Sequence, residues 1–100
     1  MTIPIVEGRA LNAQQKKDLL NRLARVEGQL RGVQKLIALA DAPADCDAVA
    51  QQMAAARKAL DRSFVQLLTA SIVNQTGNAA DLDEAKQSAA HLAALFDKFA

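Results

Sequence analysis

The sequence is poor in the residues that build most active sites and aromatic platforms. It has no Trp, no Tyr, one Cys and one His, with three Phe and two Pro. A single cysteine cannot close a disulfide within the chain, so Cys46 is either an inert thiol or one kept for reaction or metal binding. Without Trp or Tyr there is no broad platform for stacking unpaired bases, which argues against a single-stranded nucleic-acid binder. No Gly-rich phosphate loop and no Ser-His-Asp constellation is present, and a helical chain this short offers little room for a catalytic pocket, so an enzyme is not expected. No run of 18 or more apolar residues occurs, and the segment Met1-Thr2-Ile3-Pro4-Ile5-Val6-Glu7 lacks a basic region followed by an apolar core. These absences predict a cytoplasmic chain with no membrane association.

What remains is a short, half-apolar sequence with an uneven charge. Apolar residues make up 51% of its 100 residues. A chain of this length has a high ratio of surface to volume, and three helices enclose only a thin core, so self-association is expected. Net charge is +1, but residues 9–37 carry seven basic side chains against two acidic ones, while residues 63–100 have a net charge of −2. A basic segment beside a mildly acidic one suits a protein that offers one surface to phosphate, although a solvated helix face has the same composition.

The periodicity is helical throughout. Residues 1–11 are expected to form a flexible N-terminal arm and residues 12–100 a single all-α domain, with helices over about 13–40, 45–75 and 79–98. Asn12 followed by Gln15 reads as a reciprocal cap, and both prolines, Pro4 and Pro43, stand outside the periodic segments. At about 100° per residue, Leu19, Leu23, Val26, Leu30, Val33 and Ile37 form one stripe of the first helix. Lys17, Arg25, Arg31 and Lys35 project from the far side, and Arg22 sits at the stripe's edge, where its stem can pack while its guanidinium stays wet. Gly28 and Gly32 lie among the basic residues. Each costs about 1 kcal/mol relative to alanine inside a helix, which suggests that a neighbouring helix or a DNA strand needs the backbone bare there.

On the second helix, Val49, Met53, Ala56, Leu60, Phe64 and Leu67 share a face with Cys46, Ser71 and Gln75. Gly77 is expected to close that helix in a left-handed conformation. Leu82, Ala85, Ala89, Leu92, Phe96 and Phe99 form the apolar side of the third.

The run Arg22-Leu23-Ala24-Arg25-Val26-Glu27-Gly28-Gln29-Leu30-Arg31-Gly32, with Cys46 at the head of the second helix and Arg57, Leu60, Asp61 and Arg62 along it, resembles the CsoR/RcnR/FrmR family of metal- or formaldehyde-sensitive bacterial repressors. The resemblance covers roughly residues 14–75. It implies a three-helix protomer, paired through antiparallel second helices into a dimer and then into a disc-like dimer-of-dimers tetramer that binds operator double-stranded DNA and is released by a small inducer. It further implies Arg22 and Arg62 as DNA contacts, with Lys17, Arg25, Arg31 and Arg57 as supporting candidates.

Cys46 and Ser71 are separated by about 37 Å along one helix, so they cannot share a ligand within a chain. An antiparallel partner helix crossing near residues 58–60 is expected to bring Cys46 beside the partner's Ser71 and Gln75. Metal-sensing relatives carry His, or His and Cys, where this sequence has Ser71 and Gln75, and neither of these is a good ligand for copper, nickel or cobalt. Persulfide-sensing relatives carry a second Cys at the first of these positions. Formaldehyde-sensing relatives use an N-terminal proline amine, whereas this sequence starts Met1-Thr2 with Pro4 internal. Three readings of Cys46 follow: a thiol that reacts with an electrophile or oxidant, an anchor with His91 for a degenerate site taking copper, nickel, cobalt or zinc, or a structural thiol. A different class of function, a helical bundle used only for protein interaction without DNA binding, fits the same periodicity.

Overall fold

The computed structural model describes residues 3–99. It contains three helices, α1 (Ala13–Leu39), α2 (Asp45–Gly77) and α3 (Leu82–Phe99), and no strand among the described residues. The all-α, three-helix protomer is therefore as the periodicity predicts. Met1 and Thr2, the start on which the comparison with an N-terminal proline turns, lie outside the described residues.

The helix starts and the end of α2 have local chemical causes. At the head of α1 the Gln15 N–H donates to Asn12 Oδ1 at 2.8 Å, and the Asn12 N–H donates to Gln15 Oε1 at 2.8 Å, the reciprocal cap expected from the sequence. The Glu7 carboxylate also accepts the Ala13 N–H at 2.9 Å, placing negative charge at the positive end of the helix. Ahead of α2, the Asp45 carboxylate reaches back to accept the N–H groups of Asp41, at 3.0 Å, and Ala42, at 2.9 Å. These two bonds hold its carboxyl below the usual aspartate range.

The end of α2 departs from expectation. No glycine among the described residues has a positive φ, so Gly77 does not close the helix by a left-handed turn. Asn78 ends the helix without such a turn, donating both its backbone N–H (3.1 Å) and its side-chain Nδ2 (2.8 Å) to the Asn74 carbonyl. The next helix then waits for Asp81, whose Oδ1 accepts the Glu84 N–H at 2.8 Å while Glu84 Oε2 accepts the Ala80 N–H at 3.3 Å. That variant of the capping box, with Glu84 reaching one residue before the cap, starts α3 at Leu82, three residues beyond the start read from the sequence.

The chain divides into two compact units. One, residues 20–64, is a helical hairpin made of most of α1, the five-residue connection 40–44 and the first part of α2. Val26, Val33 and Ala56 form its buried core, and the hydroxyl of buried Ser63 is satisfied by donating to the Ala59 carbonyl at 3.1 Å. The hairpin covers only part of the apolar stripe: Leu30, Ile37, Met53 and Leu60 remain 48–54% exposed. An open apolar cavity of about 240 Å³ lies among Val26, Leu30, Val33, Met53, Ala56, Arg57 and Leu60.

The other unit combines the N-terminal segment and first turns of α1 with the end of α2 and all of α3. Leu68, Ser71, Asn74 and Leu92 are its buried residues. Its N-terminal segment has no regular structure but is tied down at several points. Lys16 Nζ donates to the Val6 carbonyl, Asn74 Nδ2 donates to the Arg9 carbonyl, and the Arg9 guanidinium pairs with Glu84 at 2.6 Å.

Candidate functional site

The hairpin unit carries five of the six basic residues expected to meet DNA: Arg22, Arg25, Arg31, Arg57 and Arg62. Lys17, the sixth, is exposed on α1 in the other unit. Arg22 is half-buried, as its place at the stripe's edge predicts, and the other four arginines are exposed. A short connection between two packed helices forces them antiparallel. Arg22 stands 18 residues before Ala40 and Arg62 stands 18 residues after Ala44, so each is about 27 Å from the connection along its helix, at the same end of the hairpin.

Among the described residues, none of these arginines is neutralised by a carboxylate. The ion pair found there is Arg9–Glu84. Glycine adds a second feature to the α1 surface: a Cβ built on Gly28 or Gly32 meets nothing within 4 Å. No neighbouring helix of the same chain therefore explains the bare backbone at those positions.

Cys46 lies in the first turn of α2 and is exposed, its backbone N–H donating to the Pro43 carbonyl at 3.1 Å. It belongs to the hairpin unit, whereas Ser71, Gln75 and His91 belong to the other. Ser71 is buried, with 6% of its surface exposed, and Gln75 is half-buried. Gln75 and exposed His91 line one cavity of about 360 Å³, together with Arg9, Ala10, Asn78, Glu84 and Ser88. One expected effector residue, Gln75, and the expected metal anchor His91 are thus brought together, in company that the motifs do not point to. A signal for that company is present in the sequence: Glu84, Ser88 and His91, spaced by four and three residues, share one polar face of α3.

A transition-metal ion does not fit this arrangement within one chain. Among the described residues no group of three or more His, Cys, Asp or Glu converges to hold a metal. His91 shares its cavity with the Arg9 guanidinium, a fixed positive charge that opposes a cation, and the amide of Gln75 and hydroxyl of Ser88 are weak donors to copper, nickel or cobalt. Among the described residues, no helix is long and apolar enough to cross a membrane.

Comparison with curated proteins and with solved structures yields no match. The sequence does match the family described as "Metal-sensitive transcriptional repressor", over residues 15–98. That match takes in nearly all of the three helices and most of the chain, so the protein belongs to the metal-sensitive transcriptional repressors, the CsoR/RcnR/FrmR family, and is a DNA-binding regulator rather than an enzyme.

Proposed function

We propose that the protein acts in the cytoplasm as a homotetramer, a dimer of dimers, that seats operator double-stranded DNA on its basic hairpin surface and releases it when a small inducer reacts near Cys46. The observation that carries this reading is the pair Arg22 and Arg62, level with each other in one hairpin and without a carboxylate partner among the described residues. Arginine in that condition is ready for phosphate, to which its planar fork donates two parallel hydrogen bonds. Arg25, Arg31 and Arg57 extend the same charge within the hairpin, and Lys17 adds a cation earlier in the sequence of α1.

Self-association supplies the rest of the mechanism. Leu30, Met53 and Leu60 leave about half of their surfaces in water, and an antiparallel α2 from a second copy, crossing near residues 58–60, would cover them. The same crossing sets Cys46 against the partner's Ser71 and Gln75. Reaction of the Cys46 thiolate with an electrophile then puts new bulk between the protomers. An interface with two packings transmits that change to the spacing of the arginines and so to DNA affinity. Ser71 and Gln75 supply neither imidazole nor thiolate, which favours a thiol-reactive inducer over copper or nickel at this site.

Gel shifts with DNA from upstream of the protein's own gene, repeated over a series of salt concentrations, test the DNA face. Arg22→Ala and Arg62→Ala should each weaken binding and lower the salt slope by about 0.9 for every phosphate that is no longer neutralised, with helicity and assembly unchanged. Unaltered affinity in both variants would refute the placement of the DNA face. Absence of any shift with the wild-type protein would favour an interaction module instead.

A further inference from the structure

Arg9, Gln75, Asn78, Glu84, Ser88 and His91 reach one cavity from the N-terminal segment, the end of α2 and one face of α3. Its volume, about 360 Å³, is at the small end of the range that holds metabolite-sized ligands. The polar groups around it are largely uncommitted. Among the described residues, the side chains of Gln75, Ser88 and His91 make no hydrogen bond, and Arg9 uses only Nη2, on Glu84 Oε1 at 2.6 Å. Glu84 is the cavity's one carboxylate, and both of its oxygens are taken, Oε1 by Arg9 and Oε2 by the Ala80 N–H. The wall therefore presents free donors: the remaining guanidinium N–H groups, an amide, a hydroxyl and an imidazole.

That inventory selects the ligand class. A cation meets the guanidinium and finds the carboxylate already occupied. An apolar molecule strands four polar groups. An oxyanion can take the open edge of Arg9 in a forked pair of hydrogen bonds and collect others from Ser88, Gln75 and His91. The existing Arg9–Glu84 pair does not forbid this, because its side chains are 75% and 39% exposed and such pairs are weak. We propose that this cavity binds a small oxyanion, a carboxylate or a phosphate ester. The proposal goes beyond the repressor reading and does not depend on DNA binding; the cavity shares Gln75 with the proposed effector position, and its test reads ligand binding directly.

His91 is the sole histidine, so its imidazole C–H protons give one isolated NMR signal inside the cavity. Full-length protein at neutral pH is titrated with inorganic phosphate and, separately, with malonate, with sodium chloride at matched ionic strength as reference. The expected result is a saturable displacement of the signal by at least one oxyanion and only a linear drift with chloride. Saturation by phosphate alone assigns a phosphorylated ligand; saturation by malonate alone assigns a carboxylate.

Arg9→Ala should abolish saturation, while Lys86→Ala, which removes the same charge from α3 outside the cavity, should not. Ser88→Ala and Gln75→Leu, which leave the arm's ties intact, should each weaken binding by roughly two- to tenfold. Glu84→Gln keeps the capping box but removes the competing negative charge, and should tighten binding on the order of tenfold. Identical drift with all three salts would overturn the proposal, as would unchanged binding in Arg9→Ala or weaker binding in Glu84→Gln.

Discussion

Leu60 offers the sharpest test of the proposed self-association. It is 50% exposed at the rim of the apolar cavity that also includes Leu30 and Met53, which are 48% and 53% exposed. Complete burial of a leucine side chain stabilises by about 1.5–3 kcal/mol, so covering the half still in water is worth about 1 kcal/mol. The proposed twofold crossing of α2 near residue 60 would count that residue twice, giving about 2 kcal/mol per dimer, or roughly 30-fold in its dissociation constant.

Leu60→Ala should therefore weaken dimerisation by about that factor, and Leu60→Glu by far more, because two carboxylates would be desolvated at a cost of several kcal/mol. Sedimentation velocity over a dilution series reads the assembly directly, and circular dichroism on the same samples checks that the hairpin remains folded. Wild-type protein that sediments as a folded monomer at micromolar concentration would refute the reasoning. So would variants that sediment identically to wild type.

Three further outcomes follow from particular residues. Cys46→Ala should bind operator DNA normally but fail to release it with aldehyde, polysulfide or peroxide, and the wild-type protein should lose copper and nickel readily to a chelator; gel shifts, mass spectrometry of Cys46 and competition titrations check both parts. Asn12→Ala breaks the reciprocal cap of α1 and should destabilise the fold by about 1 kcal/mol, read as a lowered melting midpoint in thermal circular dichroism. Asp45, whose carboxyl is held below its ordinary range first by the Asp41 N–H and then by the Ala42 N–H, contributes stability that is present above its unfolded titration and lost as pH falls through the lowered folded value. Thermal melts from neutral to strongly acidic pH should show that loss in the wild type, and a shallower acid limb in Asp45→Asn.

Much of this molecule can be read one helical turn at a time. The Asn12–Gln15 cap, the break around Pro43 and the burial of Val26, Val33 and Ala56 on the expected stripes all depend on partners within a few residues or on a period that repeats along the chain. The half-buried state of Arg22 follows from the same angular position that places it at the edge of the apolar stripe. Where a competing local interaction exists, periodicity alone is insufficient. Asn78, with two donors to one carbonyl, closes α2 without asking Gly77 for a left-handed turn, and the Asp81–Glu84 box delays α3.

By itself the sequence determined the family, the helical class and the chemical types at Cys46, Ser71 and Gln75, because ordered motifs and side-chain chemistry are properties of residue order. Tertiary packing alone decided which members of each apolar stripe are covered: Val26 and Val33 are buried while Leu30 and Ile37 are left for water or a second copy. The strip along which two helices of a hairpin meet is narrower than the stripes they present, so geometry, not hydrophobicity, selects among equals. Packing likewise decided that Arg9, Gln75, Glu84 and His91 share a cavity. Those residues are separated by up to tens of positions in the chain, and no local rule relates them; only the docking of the N-terminal segment, the end of α2 and α3 against one another brings their free donors to one place.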